Sequence, residues 1–222
     1  MPSIIDNGWE GFSKERLIEM VGGNKKESIE DLESRITNLY SLSFGKFLNK
    51  NDVVADFGSG FGFGAKHLSK QVKQIHCFDV SNTLHAECLK NISTVNNMDA
   101  HLIFRNDVSN MENKDINKII SNAVFCHFNI IEMAFYLQKF YDILPEQGEV
   151  IFSFRDADLI DLEDSLFKEH QEILMKNREF STRCISYVST KNILDICSKI
   201  GYQWKLMSDC NAKYKTIKAV KE

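Results

Sequence analysis

Asp52-Val53-Val54-Ala55-Asp56-Phe57-Gly58-Ser59-Gly60-Phe61-Gly62-Phe63-Gly64 is the stretch that decides how this chain folds. Val53 to Ala55 is a short apolar run of the kind that forms a buried strand. It ends on an acid, Asp56, and then on glycines at every second position from Gly58 to Gly64. Glycines spaced in this way let the main chain turn tightly and approach a ligand where a side chain would collide. The following run from Ala65 to Lys70 reads as a helix whose unpaired N–H groups face the same spot. Strand, glycine turn and helix together open a nucleotide site in an α/β protein. Two readings of the turn stay open. Gly60 to Ala65 spells G-x-G-x-x-A, the dinucleotide fingerprint, whereas Asp56 to Gly62 spells an acid followed by alternate glycines.

Upstream, residues 1–48 read as a helical arm. Leu17, Ile18 and Val21 set a short helix that stops at Gly22-Gly23, and Ile29, Leu32, Ile36, Leu39, Tyr40 and Phe44 set a second from Ser28 to Leu48. The start, with Trp9 and Phe12, reads either as a strap on the core or as a lid over a cleft. Downstream, residues 49–222 read as one domain. Gln74 to Asp79 is a second strand ending in an acid, followed by a helix from Asn82 to Val95. A third strand, Ala100 to Arg105, leads into Asn106-Asp107-Val108. Ile116 to Ser121 is a fourth, with a helix from Asn129 to Ile143 behind it. Leu144 to Gly148 is a breaker-rich turn, and Glu149 to Phe154, almost continuously apolar, is a central strand.

An acidic stretch from Asp156 to Asp164 opens an insertion near residues 156–188, which reads as a cap with a helix up to Arg178. Asn192 to Ile200 is a helix stopped by Gly201. Tyr202 to Met207 and Lys213 to Val220 close the chain as an antiparallel pair. The expected architecture is a doubly wound α/β domain, with a mostly parallel seven-stranded sheet, a terminal antiparallel hairpin and an N-terminal helical lid.

With these landmarks in order, residues 45–220 resemble the class I S-adenosylmethionine-dependent methyltransferases. Asp56-x-Gly58-x-Gly60-x-Gly62 after a Val-Val-Ala strand is similar to that family's first motif. Asp79 stands roughly 20 residues further on, where a β-α-β unit carries its ribose-binding acid. Asp107-Val108 is similar to the family's acid and apolar neighbour beside the adenine. Ile119 to His127 resembles its fourth-strand motif, and Leu144 to Gly148 its turn before the fifth strand. The resemblance implies a cofactor site made by Asp56, Gly58, Gly60, Gly62, Asp79, Val80, Asp107, Val108 and Ser121. It implies S-adenosyl-L-methionine as cofactor, with backbone donors at Gly58 and Gly60 and carbonyls near Ser121 for its amino-acid end. Two other classes compete: a dinucleotide-dependent oxidoreductase, and a protein that binds the cofactor without catalysis.

Bulk properties narrow the partners. The 222 residues carry Lys+Arg 27 against Asp+Glu 31, a net charge of -4, which speaks against a nucleic-acid binder working by phosphate attraction. Six scattered cysteines form no C-x-x-C pair, so zinc and redox motifs are absent. The N-terminus lacks a signal pattern and no run reaches membrane-spanning length, which gives the expectation of a cytoplasmic protein with no membrane partner. Oligomeric state is open.

Methyl transfer from a sulfonium needs alignment and a dry site. Phe57, Phe61, Phe63, Phe125 and Phe128 either line such a site or pack the core. A hydroxyl acceptor must lose a proton, and histidine is the natural base at neutral pH. His127, just past the fourth strand, and His170, in the cap, are the two catalytic candidates; His67, His76, His85 and His101 read as structural or surface. Asp156, Asp158 and Asp161 could hold Mg²⁺. However, metal-dependent members of the family carry an acid where this chain has Ser121-Asn122, so no metal is expected. Asn122-Ala123-Val124-Phe125 departs from the Asn/Asp-Pro-Pro-aromatic pattern of enzymes that methylate nucleobase or glutamine nitrogen. The expected acceptor is therefore a small molecule bearing a hydroxyl, such as a sugar or another precursor of surface polysaccharide or secondary metabolism. Arg155, Arg178, Arg183 and Tyr187 are available if it is anionic.

Overall fold

Strand β1 (Val53–Phe57) is buried at all five positions, and the rest of the sheet is built out from it. β2 (Gln74–Asp79) lies parallel on one side, with Cys77 opposite Asp56. β4 (Lys118–Ser121) lies parallel on the other, with Ile120 opposite Asp56. β3 (Met98–Leu102) extends the sheet beyond β2, and β5 (Glu149–Asp156) beyond β4. β8 (Lys215–Lys221) runs antiparallel to both of its neighbours, β5 and β7 (Tyr202–Leu206). A two-residue strand, β6 (Tyr187–Val188), pairs with the carboxyl end of β5. The order is β3-β2-β1-β4-β5-β8-β7, with β6 off that path. This is the doubly wound sheet expected from sequence, and among the described residues the short β6 is its one unforeseen strand. Chain order reverses between β1 and β4, which makes that gap the topological switch point.

The computed structural model describes residue 15 and residues 28–104, 106–159, 186–207 and 214–222. The expected first short helix, Trp9, Phe12, Arg178, Arg183 and most of the cap lie outside the described residues. The helices are α1 (Ile29–Ser43), α2 (Phe63–Leu68), α3 (Asn82–Ile92), α4 (Ile130–Ile143) and α5 (Thr190–Ile200). α1 stops five residues short of the expected Leu48, where a 3-10 turn, Gly45–Phe47, takes over. α4 begins at a capping box in which Asn129 accepts from the Glu132 N–H (3.0 Å) and Glu132 accepts from the Asn129 N–H (2.9 Å).

Side chains alternate across a strand, so β1 feeds two apolar layers. Val53, Ala55 and Phe57 point toward α4 and α5, into a layer with Phe125, Phe128, Tyr136, Phe140, Phe152 and Phe154. Val54 points the other way, into a layer with Tyr40 and Phe44 from the α1 region, Leu68 of α2 and Cys88 of α3. Asp56 shares the parity of Val54, so it faces α1. Phe61 and Phe63 stack with centroids 5.5 Å apart and pack with Leu32 and Leu84. All five phenylalanines with an open role are thus buried in core layers.

Candidate functional site

The carboxyl ends of β1, β2, β4 and β5 meet at the switch point. Gly58, Gly60 and Gly62 adopt positive φ of 77°, 56° and 75°. At Gly58 a side chain would be crowded as well as strained, since a Cβ would lie 2.2 Å from Val124 Cγ2 unless that side chain shifted. Gly60 differs: a Cβ there would meet nothing within 4 Å, so this residue turns its bare face to open space. Gly64, inside α2, is held to glycine by packing, because a Cβ would sit 2.3 Å from the ring of Tyr40.

Hydrogen bonds tie this turn to the end of β2. The Gly58 and Ser59 N–H groups donate to the Phe78 carbonyl (2.8 and 3.0 Å). The Gly60 N–H donates to Asp79 Oδ2 (2.8 Å), and Asp79 Oδ1 accepts from the Ser81 N–H (2.9 Å). Gly58 and Gly60 therefore spend their N–H groups inside the protein, which differs from the donor role expected of them. Burial raises the Asp79 carboxyl above its ordinary value even though Ser81, Gly60 and Val80 donate to it.

Asp56 is fully buried beside this turn. Its Oδ1 accepts from the Tyr40 hydroxyl (3.2 Å), while its buried Oδ2 has no hydrogen-bond partner. Burial, opposed by the Tyr40 bond and assisted by the charge of Asp79, pushes its carboxyl up to about 7. Val80 and Phe104 stand past the ends of β2 and β3 as exposed apolar side chains, 37% and 71% accessible. Phe104 was not singled out from sequence, since an aromatic next to a strand reads as part of it; its place just before Asn106-Asp107 was the available signal. Asp107 is exposed and accepts from the Ser109 N–H (2.9 Å), and hydrogen bonding from Ser109 holds its carboxyl below the usual range; Val108 is buried.

On the β4–β5 side, Ser121 is buried and its hydroxyl donates to the Phe57 carbonyl (2.9 Å), closing the gap between β1 and β4. His127 ends the 3-10 turn Phe125–His127 and is partly buried. Beside it, burial pushes the Cys126 thiol up to about 11. Arg155, at the end of β5, is 5% exposed. Its guanidinium lies over the rings of Tyr187 (5.6 Å) and Tyr214 (5.0 Å) and donates to the Tyr187 hydroxyl (2.9 Å). Its buried Nε has no hydrogen-bond partner. Asp156 accepts from Thr190 Oγ1 (2.6 Å) and Lys215; burial works to raise its carboxyl, but these bonds outweigh it and hold the group below the usual range. Asp156 is thus committed to holding β8 and α5. His170 and Asp161 lie outside the described residues.

The sequence matches the methyltransferase-domain family over residues 29–206. The chain belongs to the class I methyltransferases, whose methyl donor is S-adenosylmethionine. Solved structures similar to this methyltransferase share its fold at low identity. Magnesium protoporphyrin IX methyltransferase from Synechocystis PCC 6803, with bound S-adenosylhomocysteine, is 13% identical with a TM-score of 0.63, the match covering 93% of this chain and 94% of that one. Human N-acetylserotonin methyltransferase, in complex with S-adenosylmethionine, is 14% identical with a TM-score of 0.62, covering 93% of this chain and 55% of that one. An O-methyltransferase family protein from Burkholderia thailandensis is 13% identical with a TM-score of 0.64, covering 85% and 55%. No curated protein matches the sequence at a significant level. Since 1256 solved chains match this methyltransferase, the likeness speaks for its fold and leaves the acceptor open. Among the described residues no helix is long and apolar enough to cross a membrane.

Proposed function

We propose that this methyltransferase acts on a hydroxyl oxygen of a small-molecule acceptor that carries an anionic group. The observation that carries the donor half is the buried Oδ2 of Asp56, which has no hydrogen-bond partner at the strand end that leads into the glycine turn. A buried carboxylate oxygen without a partner is costly, and the ammonium of the donor's amino-acid end is a group that would satisfy it. Asp79 holds the ribose hydroxyls through its remaining lone pairs, since each oxygen that accepts from Gly60 or Ser81 can accept once more. Val80 and Val108, with Asp107, border the adenine; Gly58, Gly62 and Ser121 shape the cradle.

When bound, S-adenosylmethionine supplies an electrophilic methyl carbon, and its sulfur takes the electron pair of the breaking C–S bond. The chain's own task is to align the acceptor and take its proton. His127 is the base, its imidazole accepting the hydroxyl proton as the oxygen–methyl bond forms. Arg155 supports the anionic reading: a buried guanidinium with an unused Nε–H suits a carboxylate or phosphate. A sugar or another hydroxylated precursor bearing such a group fits this chemistry. His170 is the second candidate base, tested by the same replacement as His127.

Calorimetry with S-adenosylhomocysteine tests the donor half. The wild-type protein is expected to bind in roughly the micromolar range, and Asp79→Ala to weaken binding at least about tenfold, a loss of about 1.4 kcal/mol. Unchanged affinity in Asp79→Ala removes the ribose assignment. Transfer of a labelled methyl group to hydroxylated carboxylates and phosphates, set against protein and RNA, tests the acceptor class.

A further inference from the structure

Away from this cleft, the outer corner of the sheet carries His76, Asp99 and His101 together. Their ligand atoms all lie within 4.8 Å of one another. The strand period explains the convergence. Asp99 and His101 are two apart on β3 and so share a face. His76 is the residue paired with Asp99 across β2 and β3. Asp99 Oδ1 stands 2.6 Å from His76 Nδ1 and 2.8 Å from His101 Nε2, so both rings aim at one oxygen. His101 is further fixed by Phe78, whose ring stacks on it at 5.0 Å. Among the described residues the connection from β3 to β4 contains a 3-10 turn, Ser109–Met111, and no α-helix. This face of β3 accordingly carries Asp99 and His101 where a covered face would carry aliphatic side chains.

We propose that His76, Asp99 and His101 form a binding site for a divalent transition ion of the zinc type, separate from the methyl-transfer cleft. Two imidazole nitrogens and one carboxylate oxygen are a donor set that suits zinc and its neighbours and does not suit Mg²⁺ or Ca²⁺, which prefer oxygen throughout. Three protein ligands leave a fourth tetrahedral position. Exposure provides the path to it, since the Asp99 side chain is 42% accessible while those of His76 and His101 are 10% and 24%. Ligand bonds of about 2.0–2.1 Å imply ligand atoms roughly 3.3 Å apart in a tetrahedron. On coordination the His76 and His101 distances to Asp99 therefore open from 2.6 and 2.8 Å by about 0.7 and about 0.5 Å. Each ring also binds through the nitrogen that now faces Asp99, carrying its hydrogen on the other. The ion would pin the edge strand β3 to β2.

The test is zinc titration of chelator-stripped full-length protein against a chromophoric competitor, with cobalt(II) absorption as the second readout. One ion bound per chain is expected, with affinity at least tenfold lower in both His76→Ala and His101→Ala and S-adenosylhomocysteine binding retained in each. Cobalt should give the visible bands of a nitrogen- and oxygen-ligated ion of low coordination number. No uptake at tens of micromolar zinc, equal affinity in the His101→Ala protein, or a thiolate-to-cobalt charge-transfer band would each overturn the proposal. If His76→Ala fails to fold, the more exposed His101 and Asp99→Asn carry the comparison.

Discussion

The two halves of the cleft are built by different means. On the β1–β2 side, the glycine turn and Asp79 are held by backbone N–H groups from residues a short way along the chain: Gly58 and Ser59 to Phe78, Gly60 and Ser81 to Asp79. On the β4–β5 side the ties are between side chains distant in sequence: Arg155 with Tyr187 and Tyr214, Asp156 with Thr190 and Lys215. A backbone-built half tolerates little change of residue, because glycine is demanded by φ or by a neighbour's ring. A half built from side chains can be re-furnished position by position while the strands stay where they are. The contrast suits an enzyme family that keeps one donor and varies its acceptor.

The strongest way to break this comparison is to strike the rigid half where no ligand is involved. Gly64→Ala forces a Cβ into the ring of Tyr40, which is itself bonded to Asp56 and cannot easily yield. A loss of about 3 kcal/mol in urea unfolding is expected, and a loss below about 0.5 kcal/mol would show that α1 is not locked onto the turn. The acceptor half should respond in the opposite manner. His127→Ala should lower kcat about 100-fold while leaving S-adenosylhomocysteine affinity within twofold; near-wild-type turnover removes the base.

A smaller, pH-dependent effect sharpens the donor half. The Asp56 carboxyl titrates at about 7 in the folded protein against an ordinary 3.8. Its contribution to stability is therefore fully present below pH 3.8 and is lost as pH rises to about 7, with a slope on the order of 1 kcal/mol per pH unit. The stability difference between Asp56→Asn and wild type should grow across that window and level off above it. If the donor's ammonium meets Asp56, binding S-adenosylhomocysteine near pH 7 should also release a proton, read as a dependence of binding heat on buffer ionisation enthalpy. Smallest of all is the response of Cys126. With its thiol pushed up to about 11 and buried, its peptide should stay unmodified by iodoacetamide in the native protein at pH 7.5, and rapid labelling would mean that the β4–β5 side opens.

The legibility of the chain in sequence follows the same division. The β1–β2 half could be read because its signals are local: an apolar run, glycines at a fixed spacing, an acid at the next strand end. The doubly wound class, with its terminal antiparallel pair, followed from those signals plus the alternation of strands with helices. β6 could not be read, since two residues carry no periodicity and its pairing with Arg155 and Asp156 is made across the insertion. The roles of the phenylalanines were equally opaque. Phe57 lies next to Asp56 in sequence, yet strand alternation sends it to the opposite layer, against Tyr136 and Phe140. Tyr40 was seen only as one apolar position on a helix, because nothing local announces a hydrogen bond to Asp56. His76 and His101 read only as structural or surface residues for the same reason, since their meeting with Asp99 depends on the register of β2 against β3.

The placement of β8 has a consequence for synthesis. β7 touches the sheet only through β8, which follows it in the chain and wedges between it and β5. While the polypeptide is emerging from a ribosome, β7 therefore has no berth, and the flank of β5 that β8 will cover stands open. Every strand that carries the glycine turn and Asp79 has by then been made. A nascent chain stalled just after β7 should thus be able to assemble its donor-binding half while still needing protection along one raw edge of β5.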